Sequence, residues 1–166
     1  MGYVMKALLF CLATMLAGCA TPSPQSAPGL IFVMRHLQAG SGSDPGLTAE
    51  GQRQAHLVAR WFGAADRPRA IYVSRFRRAQ ESAAPLAAAL RISPKIYDPS
   101  DTEKLVAQVR SETGNVLVVG HSNTVPDIVE RLGGTRPDPI EHHRHGDIWR
   151  VGGRPPQTER LELEPR

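Results

Sequence analysis

Two unbroken apolar runs, Leu30-Ile31-Phe32-Val33-Met34 and Val116-Leu117-Val118-Val119, are each bounded by Gly or polar residues, and each is followed within two residues by a histidine. Runs of this length without polar alternation suit strands buried on both faces of a parallel sheet. Between and after them the pattern changes to helical spacing. Ala55, Val58, Ala59 and Phe62 recur behind Thr48, an N-cap residue with Glu50 in the first turn. Ala70 to Val73 reads as a second strand ended by Ser74, followed by an alanine-rich helix from about Phe76 to Leu90. Pro85 predicts a local kink or break in that helix. Lys95-Ile96-Tyr97 is a weaker strand, and Ser100-Asp101-Thr102-Glu103 has the spacing of a capping box before Leu105, Val106 and Val109. After the strand Asn115–Val119, a short helix opens near Val125-Pro126 and stops at Gly133-Gly134. Ile148 to Val151 and Leu161 to Leu163 read as two last strands. Strand-then-helix repetition predicts an α/β fold: a three-layer α/β/α sandwich around a mostly parallel sheet of about five to six strands.

The amino terminus has a different character. Lys6 precedes an apolar stretch from Ala7 to Leu16, of signal-peptide length and short for a membrane span. It runs into Leu16-Ala17-Gly18-Cys19, which resembles the bacterial lipobox, with Cys19 as the residue to be lipidated. An ordinary secretory signal or a short anchor are the alternatives. Ala20, rather than an acidic residue, follows Cys19 and favours the periplasmic side of the outer membrane. The expected organisation is a signal peptide over 1–18, a lipidated cysteine and Pro/Ser-rich tether over 19–29, and one domain over 30–166. Cys11 and Cys19 are the two cysteines of the chain, so the domain itself contains neither a thiol nucleophile nor a cysteine-held zinc.

The formal net charge of +4 comes from arginine-rich stretches such as Arg75-Phe76-Arg77-Arg78. Little aromatic interleaving and no recognition motif accompany them, so nucleic acid is not an expected partner. Glu141-His142-His143-Arg144-His145 lies in a polar loop without the i, i+4 helical spacing of a two-histidine zinc site. No metal and no other cofactor are expected. His56 reads as a structural or exposed helix residue.

In an open α/β sheet, ligands bind beyond the carboxyl ends of the strands. Arg35-His36 and His121-Ser122 follow two such strands, which makes a phosphate site containing a nucleophile. Four pieces in register, Arg35-His36, Leu47-Thr48-x-x-Gly51, Ser74-x-x-x-Arg78-Ala79 and Gly120-His121-Ser122, resemble the histidine phosphatase superfamily, specifically its phosphoglycerate-mutase-like branch. The resemblance spans about Leu30 to Gly134. It implies a metal-independent phosphatase that forms a phosphohistidine on His36 and acts on a phosphomonoester or phosphoramidate. Arg35 and Arg78 match the family's phosphate arginines, and His121 its second histidine, with Ser122 beside the phosphate. Guanidinium forks suit bidentate contact with phosphoryl oxygens. Ser74 reads as a helix cap or as part of the phosphate network.

The sequence departs from the family pattern in two places. Leu37 stands where a small residue is usual, which raises the expectation of a crowded pocket mouth; Gln38 stands where an acidic residue is common. The segment after the third strand is too short for a large cap and offers Asp98 as the candidate general acid. Little material for a lid argues against mutase activity. Expected substrates are phosphorylated small molecules or envelope components, met by a domain tethered to the membrane through Cys19. The reading from another class is a non-catalytic phosphate-binding envelope lipoprotein of the same fold.

Overall fold

The computed structural model describes residues 29–62, 66–153 and 157–163. The expected signal peptide, Cys19 and the tether up to residue 28 lie outside the described residues. The element order is β1 (Ile31–Arg35), α1 (Ala49–Trp61), β2 (Ala70–Ser74), α2 (Arg77–Leu90), β3 (Lys95–Tyr97), α3 (Thr102–Arg110), β4 (Val116–Gly120), α4 (Val125–Arg131), β5 (Ile148–Gly152) and β6 (Gln157–Leu161). They form the expected α/β/α sandwich around one six-stranded sheet of order β3-β2-β4-β1-β5-β6. The first four strands of that order pair in parallel, and β5 and β6 add on antiparallel. Among the described residues no helix is long and apolar enough to cross a membrane.

The period-2 alternation of each strand splits its side chains between two cores. Phe32, Met34, Ile71, Val73, Leu117 and Val119 face α1 and α2, packing on Ala55, Val58, Ala83 and Leu86. Val33, Tyr72, Val116 and Val118 face α3 and α4, packing on Leu105, Val109, Val125 and Ile128. Runs buried on both faces explain why β1, β2 and β4 show no polar alternation.

Local departures from the sequence reading have physical causes. The helix α2 runs unbroken through Pro85. Ala79, Ser82, Ala83, Leu86 and Ala87 are buried on both sides of it, and that packing outweighs one missing backbone bond. The cap of α3 is Asp101, whose side chain accepts the Lys104 amide at 3.0 Å; Ser100 instead donates to Asp98. The last strand is Gln157–Leu161, earlier than its apolar residues suggested. Pairing with β5 in the register Ile148↔Leu161 fixes it, and its polar side chains stand exposed at the sheet edge. The Gly/Ser-rich loop after β1 is tied down: Gly40 N–H donates to Gly46, Leu47 N–H to Glu81 and Arg77 N–H to Asp44.

Candidate active site

Sheet register brings the functional side chains together. Arg35 pairs with Gly120 across β1 and β4, and the His36 amide donates to the Gly120 carbonyl at 2.9 Å. Val73 pairs with Val119, so Ser74 lies one step on, beside Gly120. The carboxyl ends of β1, β4 and β2 therefore present Arg35-His36, His121 and Ser74 side by side. Two glycines allow this close approach. A Cβ on Gly51 would fall 2.0 Å from the Gln38 carbonyl oxygen, where α1 crosses the chain leaving His36. A Cβ on Gly120 would meet Thr124 Oγ1 at 3.0 Å and Tyr97 Oη at 3.2 Å.

His36 is buried, and its Nδ1 lies 2.8 Å from the Leu37 carbonyl oxygen. A carbonyl only accepts, so Nδ1 carries the proton and Nε2 keeps a free lone pair. Burial, with smaller contributions from His121, Arg35 and Arg78, pushes the His36 pKa down to about 3 against the bond to Leu37. Burial and then the charges of Arg78 and Arg35 take His121 down to about 4. Both imidazoles are neutral at pH 7, with ring centroids 5.2 Å apart. His121 Nε2 stands 2.8 Å from the Oγ of the fully buried Ser74. On its other side Arg78 Nη2 lies 3.5 Å from Nδ1. The Phe76 ring backs this pair, edge-on to His121 and under the Arg78 guanidinium.

Arg35 is held from the carboxyl-terminal part of the chain. Its Nη1 donates to the carbonyls of Glu141, His142 and Arg144 at 2.9, 3.0 and 3.0 Å. Its Nε is buried without a partner among the described residues. A buried, unpaired guanidinium donor is the kind of orphan that a bound anion satisfies. The loop from Glu141 to Gly146 is itself pinned by Asp147, buried, which accepts from Arg144 Nε at 2.8 Å and Arg160 Nη2 at 2.9 Å. From the other side of the nucleophile, the buried Ser82 hydroxyl accepts the Leu37 amide at 2.9 Å and donates to the Arg78 carbonyl at 2.6 Å.

These groups surround an open cavity of about 650 Å³, some forming its wall and others holding the wall residues from behind. Of the residues singled out from the sequence, Arg35, His36, Arg78, His121 and Ser122 lie on its wall. Asp98 does not. It is exposed, and its Oδ1 accepts the amide and hydroxyl of Ser100 at 2.9 and 2.7 Å. Those bonds hold its carboxyl below the usual range, so it remains ionised and is a poor proton donor. No Asp or Glu is among the lining residues. Leu37 is completely buried in the core against α1 and α2 and does not crowd the mouth. His145, read from the sequence only as part of a polar histidine loop, lines the cavity and donates from Nδ1 to the His36 carbonyl at 3.0 Å. Its only signal in the sequence was that run of histidines; contact through backbone carbonyls leaves no periodicity to read. Among the described residues, no three His, Cys, Asp or Glu side chains are grouped to hold a metal ion.

The comparisons with known proteins agree with this geometry. Residues 33–100 match the family model of the histidine phosphatase superfamily (branch 1), a stretch that includes Arg35, His36 and Arg78. By sequence, the chain matches no curated protein. Solved structures share its fold. The protein histidine phosphatase SixA complexed with tungstate is 24% identical with a TM-score of 0.59, over 74% of this chain and 87% of that one. The mycobacterial glucosyl-3-phosphoglycerate phosphatase complexed with VO3 is 16% identical with a TM-score of 0.62, over 81% and 98%. A phosphoserine phosphatase from Entamoeba histolytica is 14% identical with a TM-score of 0.57, over 83% and 98%.

Proposed function

We propose that this chain is a phosphatase of the histidine phosphatase superfamily, a reading supported by the family-model match over residues 33–100, and that it hydrolyses phosphomonoesters or phosphoramidates through a phosphohistidine on Nε2 of His36. The observation that carries this reading is the fixed tautomer of a neutral His36 between two arginines. The Nε2 lone pair attacks phosphorus, and the bond to the leaving atom breaks with its electron pair. Water then attacks the phosphohistidine, releasing inorganic phosphate and restoring the imidazole. Arg35 and Arg78 face the non-bridging oxygens, whose charge persists throughout phosphoryl transfer. Arg78 only donates, so its Nη2 at 3.5 Å makes His121 Nδ1 the acceptor; His121 Nε2–H then donates to Ser74, and the imidazole holds Arg78 toward the same oxygens. All of this chemistry is carried by side chains, and no metal takes part in it.

The rival reading, a non-catalytic phosphate binder, rested on Leu37 and on the lack of an obvious acid; the burial of Leu37 removes the first support, while the second stands, since no carboxylate is among the described residues lining the cavity. Hydrolysis of p-nitrophenyl phosphate with EDTA present tests the proposal. The wild type is expected to retain activity, to be inhibited by vanadate, and to lose at least about 10³-fold in His36→Ala. An active His36→Ala variant would refute the nucleophile.

The same proposal places the domain at the bacterial envelope, tethered through a lipid on Cys19 and facing the periplasm from the outer membrane. The lipobox-like Leu16-Ala17-Gly18-Cys19 supports this. Metabolic labelling with a fatty acid is expected to mark the wild type and not Cys19→Ala, which would leave the membrane fraction. Envelope phosphoesters then become the first substrates to screen.

A further inference from the structure

We propose that His145 is the general acid that protonates the leaving oxygen of phosphomonoester substrates. The proposal rests on the phosphohistidine reading of His36 and deepens it.

Proton transfer to an alkoxide leaving group requires a titratable group on the cavity wall. Among the described residues no carboxylate lines it: Asp44, between the lining residues Ser43 and Pro45, accepts the Arg77 amide at 2.9 Å and lies 3.9 Å from Arg78 Nη1, and Asp98 is committed to Ser100 outside it. The remaining titratable groups there, beyond the arginines and the two site histidines His36 and His121, are His142 and His145. His142 is exposed, whereas His145 is half-buried and fixed by its Nδ1–H bond to the His36 carbonyl. With Nδ1 committed, Nε2 is the one ring atom of His145 that can exchange a proton, and it has no hydrogen bond among the described residues.

The ring centroids of His145 and His36 are 5.8 Å apart. Both imidazoles line the same cavity, so a phosphoryl group on His36 and the leaving oxygen beyond it share that space with the His145 ring. Arg35, held by the carbonyls of Glu141, His142 and Arg144, fixes the loop that carries His145 to the same phosphoryl group. Burial and the nearby positive charge of Arg35 keep His145 neutral in the empty site. A dianionic phosphate beside it works in the opposite direction and favours the imidazolium.

The cycle balances. His36 Nε2 forms a bond to phosphorus while the phosphorus–oxygen bond breaks, its electron pair goes to the leaving oxygen, and the His145 Nε2 proton joins that oxygen. An alcohol departs and His145 is left neutral. His145 then takes a proton from the water that attacks the phosphohistidine, the phosphorus–nitrogen bond breaks toward His36, and phosphate leaves with His145 recharged. The substrate class implied is an alkyl phosphomonoester, whose poor leaving group needs the acid.

The test is the dependence of kcat/KM on the leaving group in the full chain, which reads only the steps up to release of the alcohol. His145→Asn keeps an N–H donor at the Nδ1 position and removes Nε2; His145→Gln is the second variant. Substrates are 2,4-dinitrophenyl phosphate, p-nitrophenyl phosphate and glycerol phosphate. Both variants are expected to lose about 10²- to 10³-fold on glycerol phosphate and far less, within about threefold, on the dinitrophenyl ester, which also gives a burst as the phosphoenzyme accumulates. Equal losses on all three esters, or none on glycerol phosphate, would overturn the role of His145. Failure of the underlying reading looks different: wild type and His36→Ala would then hydrolyse the dinitrophenyl ester equally.

Discussion

Ser74 Oγ lies 2.8 Å from His121 Nε2, with the serine completely buried at the end of β2. The bond joins two neighbouring strands and fixes the imidazole with its other nitrogen, Nδ1, 3.5 Å from Arg78 Nη2. Ser74→Ala would keep the strand and leave a buried imidazole nitrogen unpaired. An unsatisfied buried group costs about 1–3 kcal/mol. A loss of roughly 10- to 100-fold in kcat/KM is therefore expected. Steady-state kinetics together with circular dichroism check that the loss is catalytic and not a failure to fold.

Leu37 packs against α1 and α2, so it contributes stability and does not gate the cavity. Leu37→Ala is expected to destabilise the fold by about 2–5 kcal/mol through the cavity it leaves. KM for p-nitrophenyl phosphate should change less than about twofold. Urea denaturation and kinetics on the same variant separate the two effects. A large fall in KM with unchanged stability would return Leu37 to the pocket mouth.

His36 and His121 have pKa values of about 3 and about 4 in the folded chain. The unfolded imidazole titrates near 6.5. Between those values the unfolded chain binds more protons, so stability rises with pH across this window. The contribution is complete above about 6.5 and is lost progressively as the pH falls toward about 3–4. Thermal unfolding from pH 7 to pH 4 should show a falling Tm, with a shallower fall in His36→Asn. An equal slope in the variant would mean that His36 is not held neutral by its surroundings.

The sheet and the phosphate pocket were legible because their signals are local. Val116 to Val119 and Leu30 to Met34 show no alternation, which marks them as central strands, and the histidines follow directly. Parallel pairing then brings His36 and His121 together without further information. The α2 register likewise carries Arg78 to the cavity, four residues beyond Ser74. Asp98 and Ser100 were harder to read. The turn before α3 uses Asp101 as its cap, and Asp98 serves that turn through Ser100. The polar edge strand β6 has no apolar run to announce it. The contribution of His145 and its loop depends on carbonyl groups reaching Arg35 from more than a hundred residues away. Backbone acceptors carry no residue-type signature, so that part of the site becomes visible only in three dimensions.

The central claim is a covalent phosphohistidine on His36, and trapping it is the most direct measurement. Wild-type protein mixed with 2,4-dinitrophenyl phosphate should be quenched in alkali within the first turnover and analysed by mass spectrometry. The account predicts one added phosphoryl group, stable to base and labile to acid, on the peptide that contains His36. It should be missing in His36→Ala. A base-stable phosphoryl group on His121 instead, or substrate turnover in the wild type with no phosphoenzyme under rapid quench, would contradict it.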